Sequence, residues 1–111
     1  MKIVSLGGVG EEGVSHDPAI KKRVMLRDGQ VPGLAMFSQA RFGPGQVAAA
    51  HRHAGMHEVF FVESGQGVIR IDGKSHRLET GVCVVAEQGE SHEIENTGLS
   101  NLILTYFGIK V

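Results

Sequence analysis

Three histidines and one glutamate carry the reactive potential of this chain: His51, His53, Glu58 and His92. His51 and His53 close the apolar run that begins at Val47. Side chains two apart on a strand point to the same side, so the two imidazoles project into one space. Glu58 lies five residues beyond His53, an odd offset that would turn it to the opposite face of a continuous strand. Ala54-Gly55-Met56 supplies the break that lets the chain turn and present Glu58 inward on the next strand. His92, in Ser91-His92-Glu93-Ile94-Glu95, is distant in sequence and must arrive by folding. Three neutral imidazoles and a carboxylate suit one divalent transition metal ion: iron, manganese, nickel, cobalt, copper or zinc. A six-coordinate ion held by four side chains keeps two positions for water, substrate or dioxygen, so it can act as Lewis acid, template or redox centre. His-x-His alone carries little weight, since a strand histidine is commonly a packed or surface residue.

The elements that must hold these residues are short. Sixteen glycines punctuate the 111 residues at intervals, and the runs between them are rich in Val, Ile and Phe. Val47–Ala50, Val59–Val62, Val68–Ile71, Val82–Ala86 and Asn101–Phe107 read as strands. Turn signals separate them, and Asp72-Gly73 predicts a hairpin. Asp17 followed by Pro18 predicts a single helical turn through Lys22. Val24–Leu26 reads as a strand before an Asp28-Gly29 turn, so residues 1–30 form a strand-and-turn extension. Strands at such spacing predict an all-β antiparallel sandwich or barrel. No linker, second domain or internal repeat is visible, and residues 1–111 read as one domain.

The spacing of residues 45–65 is G-x5-H-x-H-x4-E-x6-G, carried by Gly45, His51, His53, Glu58 and Gly65. It resembles the first motif of the cupin superfamily. Residues 81–96, through Gly81, Gly89, His92 and Asn96, resemble the second motif, G-x5-P-x-G-x2-H-x3-N. Nine of ten specified positions match, fifteen residues separate the motifs, and Glu87 stands where the family has proline. The resemblance implies a jelly-roll β-barrel (a double-stranded β-helix) with a metal ion near its centre and substrate entering at the open end. It also implies that His51, His53, Glu58 and His92 are the ligands. The Glu87 departure bears on turn rigidity, not on metal binding. Gly45, Gly65, Gly81 and Gly89 are expected as backbone devices, and Asn96 as a turn-stabilising side chain.

Alternation sorts the neighbours. Phe60 and Val62 share parity with Glu58 and are expected to line the cavity, whereas His57 should face away. Met36, Ser38, Ala40 and Phe42 share one face and Phe37, Gln39 and Arg41 the other, with the inward set open. Tyr106 is a candidate pocket acid, base or donor, although packing against a neighbouring strand is its default role. An inward Arg41 would favour a carboxylate-bearing ligand, although surface placement is the default for arginine. His16 and His76 are expected on the surface, and Cys83 as a small buried hydrophobe.

The formal net charge of -1 and the absence of an aromatic-interleaved basic run point away from nucleic acid and anionic membranes. No segment approaches the ~18 apolar residues of a membrane span. A lone cysteine fits a reducing, cytoplasmic setting. Two functions are in play. One is a metal-dependent enzyme on a small polar organic molecule, of the dioxygenase, isomerase, decarboxylase or lyase kind found in this superfamily. The other is a non-catalytic module that binds a small ligand around a structural metal. The resemblance further implies a homodimer, with Lys2–Leu6 as a strand that docks on the partner's sheet and protects its edge.

Overall fold

Among the described residues the chain folds into ten antiparallel strands. The structure, a computed structural model, describes residues 1–15 and 17–111. The strands are β1 (Glu11–Val14), β2 (Asp17–Leu26), β3 (Leu34–Phe42), β4 (Val47–His51), β5 (Met56–Ser64), β6 (Gln66–Ile71), β7 (Lys74–Glu79), β8 (Cys83–Ala86), β9 (His92–Glu95) and β10 (Leu102–Lys110). They form a six-stranded sheet in the order β1-β2-β3-β10-β5-β8 and a four-stranded sheet in the order β4-β9-β6-β7. The jelly roll is thus two facing sheets whose hydrogen-bond ladders do not close into one ring. Among the described residues no helix is long and apolar enough to cross a membrane.

The core lies between the sheets. Phe60, Val62, Leu102 and Leu104 from one sheet meet Ile69, Leu78 and Ile94 from the other. On β5 the alternation is strict: Met56, Glu58, Phe60 and Val62 are buried while Phe61 is exposed. Glu58 therefore points inward because it is in phase with the core residues of its own strand. On β3 it is Ser38, Ala40 and Phe42 that are buried, leaving Arg41 exposed. The Asp72-Gly73 hairpin forms between β6 and β7, with φ of 49° and 80° at its central residues, as a tight two-residue turn demands. Gly65 has φ of 86°, and a Cβ there would collide with the Asn101 carbonyl oxygen, so no other residue fits.

One expectation for the N-terminal region needs correcting. Asp17–Lys22 is not a helical turn but the start of β2. The Asp17 carboxylate does accept the Ala19 N–H at 2.9 Å, yet the chain continues extended. Extended backbone lets Ile20 and Val24 both reach the core while β2 pairs with β1 and β3. Within the single chain the stretch of residues 2–5 pairs with no strand among the described residues. A 3-10 turn at Leu6–Gly8 follows it, and the Arg23 guanidinium fastens this stretch by donating to the Val9 carbonyl at 2.6 Å. β7 was hidden because only Leu78 of its six residues is buried, so it carries almost no apolar pattern.

Candidate metal centre

β4 ends at His51 and β9 begins at His92, and the two residues are directly paired across the ladder. Their ring centroids lie 4.3 Å apart. His53 lies beyond the end of β4, in the loop, and its ring is 5.0 Å from that of His51 and 5.5 Å from that of His92. Glu58 arrives from β5 in the opposite sheet. One of its carboxylate oxygens is 3.1 Å from His92 Nε2 and 3.5 Å from His53 Nε2. Donor atoms of all four residues fall within 4.8 Å of one another.

The donor set fits a metal cation. Glu58 and His92 are 5% and 2% exposed. Despite their proximity, Glu58 Oε1 and His92 Nε2 have no hydrogen-bond partner. Buried polar atoms left so cost ~1–3 kcal/mol each, and a divalent ion between them would satisfy both. Imidazole and carboxylate together suit a transition metal. The outer hydrogen bonds favour the same use. His51 Nδ1 is 2.9 Å from the Ala49 carbonyl oxygen, which selects the tautomer protonated at Nδ1 and leaves Nε2 as the ring's acceptor. His51 titrates below the usual histidine range, chiefly because burial disfavours its charged form, with His92 and His53 adding to the effect.

The loop and the turn that carry His53 and His92 brace one another. The Gly89 N–H donates to the His53 carbonyl at 2.9 Å, and the Gln88 side chain donates to the Ala54 carbonyl. His57 does not join the cluster: its Nδ1 accepts the Gln88 N–H at 3.0 Å, so it fixes the same turn from outside. At Glu87 the backbone N–H donates to the Glu90 carboxylate at 2.7 Å, while the Glu87 carbonyl accepts the Glu90 N–H at 3.0 Å. A proline could not supply the first bond, so this turn gains its rigidity from Glu90 instead.

The cluster opens on a cavity of about 240 Å³, below the roughly 300–1,000 Å³ of drug-sized pockets. Met36, Ala40, Phe42, Phe60, Ile94 and Leu104 line it with apolar surface.

Known proteins share this framework. The Cupin domain family matches residues 38–107. Over 96 residues the chain is 31% identical to the oxalate-binding protein of Thermotoga maritima, covering 86% of this chain and 74% of that one. The chain belongs to the cupin family. This cupin is also 27% identical to the tetracenomycin polyketide synthase protein TcmJ of Streptomyces glaucescens, covering 76% of this chain and 57% of that one. Among solved structures, a predicted oxalate decarboxylase of Thermotoga maritima superposes with a TM-score of 0.89 at 24% identity, covering 99% of this chain and 100% of that one. That likeness is one of fold.

The other sequence-selected residues of the cupin fall as follows. Phe60 lines the cavity and stacks on Tyr106, with ring centroids 5.6 Å apart. Val62 is fully buried in the core but lies outside the cavity lining. Arg41 is not a pocket residue: it sits on the outward face of β3 and pairs with Glu11 at 2.9 Å. Tyr106 does line the cavity. Burial pushes its phenol up to about 12, the Glu58 charge adding to the effect, so near neutral pH it stays protonated and is available as a hydrogen-bond donor. The nearby Ser38 hydroxyl lowers this slightly without reaching hydrogen-bond geometry. Cys83 is exposed, not buried, because it takes the outward phase of β8. His76 is exposed on β7, and His16 lies outside the described residues. The contribution of Val14, Ser15, Lys22 and Arg27 to the cavity wall went unread. Its signal was the phase of Lys22 with Ile20 and Val24, hidden by the expected helical turn.

Proposed function

We propose that this cupin is a metal-dependent enzyme acting on a small carboxylic acid, with His51, His53, Glu58 and His92 as the ligands of one divalent transition metal ion. The observation that carries this reading is the meeting of three imidazoles and Glu58, two of their buried atoms unpartnered, at the wall of a small cavity. When bound, such an ion supplies Lewis acidity and, if redox-active, electron exchange. The apolar wall excludes water from the ligand and strengthens electrostatic contacts inside. The Tyr106 phenol holds its proton near neutral pH and can donate a hydrogen bond into the cavity. The size of the cavity and the relative named for oxalate binding support a ligand of few atoms with a carboxylate. Decarboxylation, isomerisation, elimination and dioxygenation are the reaction classes this reading includes.

Carbon NMR of labelled small carboxylic acids, incubated with protein loaded in turn with manganese, iron, cobalt and nickel, tests it. Turnover that disappears in His53→Ala is expected. A fully loaded protein that binds acids yet converts none would replace this reading with the second one, a non-catalytic carboxylate-binding module. The reading places the chain in the cytoplasm, where a single cysteine needs no oxidant, and as a homodimer. Exposed Ile3 and Val4 and the open edge strand β1 support pairing with a second copy. Sedimentation at twice the 11.9 kDa chain mass is expected, and a monomer would end that part of it.

A further inference from the structure

Lys22 occupies a position where a lysine is costly. On β2 it falls between Ile20 and Val24, which are 0% and 8% exposed, and in phase with both. Across the ladder it is paired with Ala40 of β3, a buried residue of the cavity wall. Lys22 itself is half-buried and lines the same cavity as the four candidate ligands. An ammonium on an apolar wall is stabilised by reaching water or by a counter-ion. The charged neighbours are committed elsewhere, although the Glu12 carboxylate does feel the Lys22 charge at longer range. Glu12, opposite Lys22 on β1, gives both carboxylate oxygens to Arg27, at 2.7 and 3.4 Å. Asp28 is held by Lys110. Arg27 and Asp28, the other two charged groups of the wall outside the cluster, are thus each neutralised within the chain. Among the described residues Lys22 makes no ion pair.

Glu58 with a divalent ion nets one positive charge in the cavity, and Lys22 adds a second. We propose that Lys22 is the specificity-determining counter-ion of the cavity and that the preferred ligand is a small dicarboxylate, one carboxylate at the His/Glu group and the other at Lys22. This rests on the metal and carboxylate reading above and deepens it.

Isothermal titration of metal-loaded protein with oxalate, malonate and the monoanion glyoxylate tests the assignment in wild type, Lys22→Met and Lys22→Arg. Removing a charge-assisted hydrogen bond from a desolvated wall weakens binding by roughly 10- to 100-fold. Lys22→Met is therefore expected to lose that much affinity for the best-bound dianion, with glyoxylate changed less than about threefold. Lys22→Arg should retain most of the affinity, and metal content should be the same in all three. Equal affinity of wild type and Lys22→Met for every dianion overturns the role of Lys22 and leaves the carboxylate reading standing. Failure of loaded wild type to bind any of the three acids overturns both. Melting curves of the variants guard against misfolding, and removing an inward lysine is expected to leave the midpoint unchanged or raised.

Discussion

Each of the two sheets brings one deeply buried donor to the centre: Glu58 sits on β5 of the six-stranded sheet and His92 on β9 of the four-stranded sheet. Neither is explained by packing. Each buries a polar atom that finds no hydrogen bond, while the other inward positions of β5 are apolar. Tyr106 is different in kind, since its phenol stays neutral and its ring stacks on Phe60. Its raised value couples stability to pH. Below pH 10 the phenol is protonated in both folded and unfolded chains and contributes no pH dependence. Between pH 10 and about 12 the unfolded chain sheds the proton and the folded chain keeps it, so stability falls as pH rises, by up to about 2–3 kcal/mol. In metal-free protein, Tyr106→Phe should flatten that decline relative to wild type in urea titrations at pH 9 to 12. A parallel decline in both proteins would refute the assignment.

At the scale of elements, the residues flanking the donors act through backbone bonds. Asn96, 1% exposed, donates to the carbonyls of Phe42 and Ser100 at 2.9 Å each and accepts the Gly98 N–H at 2.9 Å. Asn96→Ala leaves the Phe42 carbonyl and the Gly98 N–H buried without a partner and removes a part-buried bond to Ser100, so a loss of about 2–4 kcal/mol in chemical denaturation is expected. Glu87→Pro should be nearly neutral, within about 1 kcal/mol. It loses the bond to Glu90 but restricts the unfolded chain, and the preceding Ala86 already lies in a strand. These elements also show where sequence reading succeeds and stops. The two-residue periods of β5 and β10 and the Asp72-Gly73 turn are local, so they are legible. So is the spacing of the four donors, because it follows a family pattern. His51 and His53 share a space as expected, but only His51 does so on a strand. The loop does the rest, held by Gly89 and Gln88 from far along the chain, and no local pattern announces that. Arg41 and Lys22 show the converse: β3 and β2 each have two faces, and only the pairing with their neighbours decides which is inside.

For the molecule as a whole, two facing sheets enclose a core and a cavity that share Ala40, Phe42, Phe60, Ile94 and Leu104, with the candidate ligands drawn from both sheets and from the loop after β4. A cation bound there ties the sheets together, and binding to the folded state adds stability of RT ln(1 + [L]/Kd), about 2.7 kcal/mol at a hundredfold excess over Kd. Chelation should therefore lower the melting midpoint. The most direct measurement is metal content by mass spectrometry of untagged protein, dialysed after loading, for wild type and His53→Ala. His53 is the comparison of choice because its side chain is 33% exposed, so its removal leaves the core intact. One divalent ion per wild-type chain and a large loss in the variant is the predicted result. A wild-type protein without bound metal, or a variant that holds as much, would contradict the metal centre.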